Sequence, residues 1–231
     1  MTAFNVDLDG GRVGARLYEA GSAARAGVTV VLAHGAGAPQ TGPFMVTFAE
    51  ALARRGFDTA TFNFPYMEAR RRVPDRGPVL EACYAAVVRH LAVRPGVEAN
   101  RIVIGGKSMG GRIASQMAAH DADTSRLVAG LVFLGYPLHP PGRPQQLRTR
   151  HLPFVRQPIL CVQGGRDAFG TPDELRPVLD GLETDVELLV IDGGDHSFKV
   201  PKTLGLSQAD VYARIQDAIA RWIAERICAA A

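Results

Sequence analysis

Long apolar runs, cysteines and an excess of either charge are all scarce in this chain. No stretch of its 231 residues approaches the roughly 18 consecutive apolar side chains of a membrane-spanning helix, so no membrane partner is expected. Lysine and arginine number 26 against 23 aspartates and glutamates, a formal net charge of +3. That is far from the basic excess of a protein that neutralises phosphate backbones, and composition gives no support to a nucleic-acid partner. The three cysteines, Cys83, Cys161 and Cys228, are odd in number and stand far apart among apolar neighbours. In a chain too long to need disulfide staples they read as reduced core thiols. No His/Cys cluster has metal-ligand spacing, so no metal is expected. Internal repeats, linkers and low-complexity tracts are also missing, and a single domain over residues 1–231 is the simplest expectation. The first ten residues carry Asp7 and Asp9 where an export signal has a basic and then an apolar stretch, so the expected location is cytoplasmic.

What the chain does have is alternation. From residue 28 onward short apolar runs alternate with amphipathic stretches, and glycines and prolines gather mostly between them, the βαβα rhythm of a parallel sheet covered by helices. Residues 28–33 (VTVVLA) read as a strand buried on both faces. Phe44, Phe48 and Leu52 then recur at helical spacing, with Pro43 suited to the first turn and Gly56 to the C-terminal cap. Further strands are expected at 59–64, 101–104, 127–134, 159–163 and 186–191, and helices at 78–93, 110–120, 172–179 and 207–227. Thr171 and Glu174 form a capping box before the third of these helices. Residues 4–20 look like an antiparallel hairpin at the sheet edge, and 135–158 a Pro-rich loop. The fold class is therefore α/β: a doubly wound, mostly parallel sheet with helices on both faces and no separate lid domain. In such sheets ligands sit at the carboxyl ends of the strands.

One such end carries Gly106-Lys107-Ser108-Met109-Gly110, which matches G-x-S-x-G between a strand and a helix. A nucleophile at so sharp a turn is held in a strained conformation above the sheet and needs small neighbours. A serine hydroxyl is a poor nucleophile until a base takes its proton, and in this fold class the chain order is serine, acid, histidine. His196, just after the strand at 186–191, is the candidate base. Asp167, just after the strand at 159–163, is the favoured acid. Asp195 is too close in sequence to reach the far ring nitrogen, whereas Asp192 remains a competitor. An oxyanion hole needs one N–H from the residue after the nucleophile and one from the loop after an early strand, which points to Met109 and Ala36. His34 comes too early in the chain to be the base and reads as structural.

With no lid, the site is expected to be an open crevice bordered by residues 63–72 and 135–156. Phe64, Tyr66, Tyr136 and Leu138, with Met67, are expected to bind substrate as an apolar acyl pocket. Arg70, Arg71, Arg72, Arg143, Arg148 and Arg150 read first as solvated surface, with contact to an anionic substrate as the alternative. Lys107, His139 and His151 carry no assigned role.

At this point the residues resemble the α/β-hydrolase fold, and more narrowly a small branch near the dienelactone hydrolases. The narrower match rests on HGAGA (34–38), FNFPYME (62–68), GGKSMGGR (105–112), GYPLHPPGRP (135–144), RTRHL (148–152), QGGRDAFGT (163–171) and GGDHSFK (193–199). These are similar to a bacterial family of predicted hydrolases whose eukaryotic relatives include a testis-expressed protein and a subunit of a histone-acetyltransferase complex. The resemblance implies triad roles for Ser108, Asp167 and His196, a small-molecule acyl substrate and no cofactor. Dienelactone hydrolases have a cysteine where this chain has Ser108, so their substrate does not carry over. Two rival readings stand beside it. A phosphate-binding loop would need glycine where Arg101 stands, and would turn the strand before Gly106 into loop. A binding or scaffold protein on a hydrolase fold is the more serious alternative, because fold does not fix function.

Overall fold

A computed structural model describes residues 1–97 and 101–229. Residues 98–100 and 230–231, which the single-domain expectation also covers, lie outside the described residues. The strands are β1 (Thr2–Leu8), β2 (Gly11–Tyr18), β3 (Thr29–Ala33), β4 (Asp58–Phe62), β5 (Ile102–Lys107), β6 (Val128–Leu134), β7 (Ile159–Gly164) and β8 (Val186–Ile191). The helices are α1 (Pro43–Arg54), α2 (Pro65–Glu68), α3 (Gly77–Ala92), α4 (Met109–His120), α5 (Ala122–Ser125), α6 (Pro172–Asp180) and α7 (Gln208–Ile223). All eight strands pair in one sheet of order β1-β2-β4-β3-β5-β6-β7-β8. The β1–β2 hairpin joins antiparallel to β4, and every pairing from β4 to β8 is parallel.

The unbroken apolar runs follow from burial on both faces. Along β3, Val31 and Ala33 point into one core and Val30 and Leu32 into the other, the period of two that a pleated strand imposes. The first core is closed by α3, α4 and α6, the second by α1 and α7. The chain runs outward from β3 to β4 and returns to β5 on the other side of β3. The loops leaving β3 and β5 therefore diverge at neighbouring carboxyl ends, opening a crevice at the reversal point.

Outside the β1–β2 hairpin most element ends fall within one residue of expectation, and three differ by two or more. β4 ends at Phe62 and not at residue 64, because Pro65 starts the short α2 with Phe64 as its N-cap. β5 runs on to Lys107 through two glycines that read as turn. An ideal Cβ at Gly106, which has φ +153°, would lie 2.2 Å from the Ala33 carbonyl oxygen, so the close approach of β3 itself requires glycine there. The last helix ends at Ile223 and finishes in one wider π-type turn, Ala224–Cys228. The capping box of Thr171 and Glu174 is present, and Ser207 and Asp210 form a second one.

Candidate active site

The turn from β5 to α4 sets the nucleophile candidate. Ser108 has φ 51° and ψ −114°, a left-handed conformation that a side chain seldom adopts, and its N–H is tied to the Leu134 carbonyl at 3.0 Å. The turn is tight because α4 starts against β3: a Cβ at Gly110 would fall 2.2 Å from the Ala33 carbonyl oxygen. Ser108 Oγ stands 2.8 Å from His196 Nε2, and His196 Nδ1 stands 2.7 Å from Asp167 Oδ2. Three residues separated by 88 and 29 positions thus form one hydrogen-bonded line at the carboxyl ends of β5, β8 and β7.

The acid is enclosed and fully bonded. Asp167 Oδ1 accepts from the Phe169 N–H at 2.8 Å, while Oδ2 accepts from Gln163 Nε2 at 3.0 Å as well as from the imidazole. With Nδ1–H donated to this carboxylate, His196 presents Nε2 as acceptor toward Ser108. Asp192 is exposed and bonds to neither imidazole nitrogen, whereas Asp195 Oδ1 accepts from the Ser197 and Lys199 N–H groups and so shapes the loop that carries His196. Of the three acids weighed from sequence, Asp167 alone is brought to the imidazole.

Ala36 and Met109 line the same cleft as Ser108 and His196. Met109 is the first residue of α4, where an N–H has no intrahelical carbonyl to meet, and the positive end of the helix dipole faces the cleft. Ala36 sits on a loop that His34 holds from below. His34 is fully buried, donates Nδ1–H to the Gly35 carbonyl at 2.8 Å and accepts the Phe64 N–H on Nε2 at 3.1 Å. Burial holds its pKa below the usual imidazole range, as a neutral structural histidine requires.

The substrate-binding expectations need correction. Phe64 and Tyr66 are fully buried and pack edge-on against His34, at ring distances of 5.1 and 5.9 Å, and Tyr66 Oη accepts the Gly37 N–H at 3.3 Å. They support the Gly35–Gly37 turn from beneath and do not face the cleft. Tyr136 and Leu138 are buried too: Tyr136 Oη donates to the Arg148 carbonyl at 2.8 Å, and the Leu138 carbonyl accepts from the Arg148 N–H at 2.8 Å. They pin the Pro-rich loop to the body. The cleft measures about 920 Å³, and its apolar lining comes instead from Pro43, Phe44 and Met45 at the start of α1, from Pro74 and Leu80, and from Tyr212. Residues 63–72 do not border it, and the Pro-rich loop contributes only Pro137 and Arg148. Arg71, from the run at 70–72, pairs with Asp75.

Four site residues were not anticipated in these positions. Gln163, the next-to-last residue of β7, bonds the Asp167 carboxylate, the Gly170 carbonyl and both backbone groups of Tyr136; a polar side chain near the end of an apolar strand was its only trace in the sequence. The Phe169 ring lies 4.2 Å from the His196 ring. Lys107 Nζ donates to the His196 carbonyl at 2.5 Å, strapping the histidine loop to the turn at Ser108, and burial lowers its pKa to about 8. Arg112, four residues after Ser108 on α4, also lines the cleft.

His151 anchors the Pro-rich loop from the other side. Its Nε2 meets Ser115 Oγ at 2.7 Å, and burial, helped by the charges of His120 and Arg112, pulls its pKa from 6.5 to about 4. The unfolded chain therefore takes up this proton first on acidification. The stability owed to neutral His151, of order 3 kcal/mol, is whole above about pH 6.5 and is lost as pH falls toward 4. Thermal melts between pH 7.5 and 4 should show a steeper decline in Tm for the wild type than for His151→Gln. Parallel curves would refute this.

An eight-stranded, mostly parallel sheet carrying a Ser–His–Asp line above its carboxyl edge defines the α/β-hydrolase class. A family model for the alpha/beta hydrolase domain matches residues 26–224, and the chain belongs to that family. Among solved structures, it is similar to a dienelactone hydrolase from Anabaena variabilis, at TM-score 0.74 and 20% identity over 97% of each chain. It is also similar to XC6422 from Xanthomonas campestris, described as an α/β serine hydrolase without lid, at TM-score 0.75 and 20% identity over 96% of this chain and 94% of that one. Est1E from Butyrivibrio proteoclasticus, solved with ferulic acid, matches at TM-score 0.77 and 15% identity over 97% and 99% of the two chains. At these identities the likeness is one of fold. Among the described residues no helix is long and apolar enough to cross a membrane.

Proposed function

We propose that the protein is a serine hydrolase that cleaves a small acyl ester or thioester through an acyl-enzyme on Ser108. The observation that carries this is the line from Ser108 Oγ through His196 to Asp167, with contacts of 2.8 and 2.7 Å. Ser108 Oγ attacks the acyl carbon while His196 Nε2 takes its proton, and Asp167 holds the imidazolium that results. The tetrahedral oxyanion is received by the N–H groups of Ala36 and Met109. Collapse expels the alcohol or thiol, which leaves with the proton from His196. Water then repeats the sequence: His196 takes its proton, the hydroxide adds to the acyl carbon, and Ser108 departs reprotonated with release of the acid. No cofactor enters any step. Trapping of a fluorophosphonate on Ser108, together with turnover of a model ester, tests the assignment.

The open cleft sets a chain-length expectation. In a deep acyl tunnel each buried methylene, at about 0.8 kcal/mol, would raise kcat/KM roughly fourfold. Here the gain should level off after about two to four carbons, because further methylenes remain in water. The measurement is kcat/KM for 4-nitrophenyl esters from acetate to dodecanoate, kept below micelle-forming concentrations. A steady rise through dodecanoate would show an acyl tunnel and refute the open cleft.

A further inference from the structure

The charged side chains that line the cleft are mostly basic. Lys107, Arg112, Arg148 and Lys199 line the cleft, and Asp75 is the one carboxylate among its lining residues. One oxygen of Asp75 is held by Arg71 at 2.6 Å, and the other, buried without a hydrogen-bond partner, is within ion-pair distance of neither Arg112 nor Arg148. Lys107 is committed to the His196 carbonyl, and Lys199 is exposed. Arg112 and Arg148 are different, because both are partly buried and neither has a carboxylate within ion-pair distance among the described residues. Arg112 gives Nη1 to Gln116 Oε1 at 3.0 Å, an uncharged acceptor, and its Nε is buried with no partner at all. Glu81, the carboxylate that acts on Arg112 from a distance, is bonded to His120 Nδ1 at 2.8 Å.

A guanidinium drawn out of water without a counter-charge is costly, and two arginines close enough to repel one another add to that cost. Hydrogen bonds to neutral groups recover only part of it. An anion entering the cleft would supply the missing charge. Arg112 stands at the start of α4, four residues after Ser108, and lines the same cleft, so a substrate lying over the nucleophile shares that cleft with the guanidinium. Arg148 approaches from the Pro-rich loop, whose position is fixed by the buried Tyr136 and Leu138 contacts to its backbone.

Resting on the acyl-transfer reading above, we infer that Arg112 and Arg148 form a subsite for a carboxylate carried by the substrate, so that the preferred substrates are anionic esters or thioesters. Each guanidinium forms charge-assisted bonds to that carboxylate, strengthened by the low-dielectric wall behind Arg112. The subsite thereby selects among acyl compounds that the triad alone would treat alike.

The test compares two matched pairs of substrates. One pair carries the charge on the acyl side, 4-nitrophenyl hydrogen adipate against its neutral methyl adipate ester. The other carries it on the leaving group, 4-carboxyphenyl butanoate against 4-methoxycarbonylphenyl butanoate. All rates are corrected for reactivity with hydroxide. The wild type should prefer the anionic member of at least one pair by about tenfold or more in kcat/KM, and added salt should erode that preference. The preference should fall toward one in Arg112→Gln and in Arg148→Gln, and be partly kept in Arg112→Lys. Should Arg112→Gln fail to fold, Arg148→Gln on its exposed loop decides the matter alone. No preference in either pair, or one that survives both glutamine substitutions, would overturn the subsite. Absence of turnover of all four esters, together with no labelling of Ser108 by fluorophosphonate, would instead overturn the acyl-transfer reading and the subsite with it.

Discussion

Ser108→Ala is expected to abolish fluorophosphonate labelling and to lower turnover of a model ester by several orders of magnitude, on the order of a millionfold in kcat where the triad acts as a unit. The size of the effect follows from the geometry. With Oγ gone, His196 Nε2 has no hydroxyl at 2.8 Å to deprotonate, and what remains is the oxyanion hole and binding alone. The fold should be untouched, since the Ser108 side chain caps nothing at the start of α4 and an alanine meets no new contact. Alanine keeps the left-handed backbone at this position no worse than serine does, so Tm should stay close to wild type. Labelling that persisted in the variant would place the nucleophile elsewhere.

The second large effect separates the acids. Asp167→Asn should lower kcat by about ten-thousandfold, because an amide that turns its NH2 toward Nδ1 forces the proton onto Nε2, where the imidazole can no longer accept from the serine. The Gln163 and Phe169 donors that now converge on the carboxylate would also compete for the single remaining carbonyl oxygen, so the loss should not be recovered by a rotamer change. Asp192→Asn should stay near wild type, since that side chain is exposed and touches neither ring nitrogen. The reverse result, a large loss at residue 192 and none at 167, would move the acid to the other loop. Melting curves for both variants distinguish a lost role from a lost fold.

The legibility of the parts tracked how local their causes are. The run at 28–33 was readable as a strand buried on both faces because its neighbours in the sheet impose the same demand on each residue. The turn at Ser108 was readable because the need for small residues on both sides of a strained position leaves a mark within five residues. Asp167 and His196 could be placed because each directly follows a strand, and strands of a parallel sheet end on one side. Asp192 stayed open for the same reason, since it too follows a strand. Only the inward turn of the loop, with Asp195 bonded to the backbone of Ser197 and Lys199, put the imidazole beside Asp167 and left Asp192 in solvent.

The walls of the cleft were the part that sequence misassigned. Aromatic residues near a motif carry the same apolar signal whether they face a ligand or hold up a loop, and Phe64 and Tyr66 went beneath His34 while Phe44 and Tyr212 went to the cleft. Arg112 carries no signal in the sequence because it sits in a helix with ordinary amphipathic spacing, and its lack of a counter-charge exists only once the carboxylates around it have found other partners. The sequence by itself determined the sheet, the turn that presents Ser108 and the order of the three residues, since backbone sterics and burial period act between near neighbours. Which acid meets the histidine, which side chains line the cleft and which arginines remain unpaired were decided only by the tertiary structure, because each depends on what distant segments leave unsatisfied when they pack.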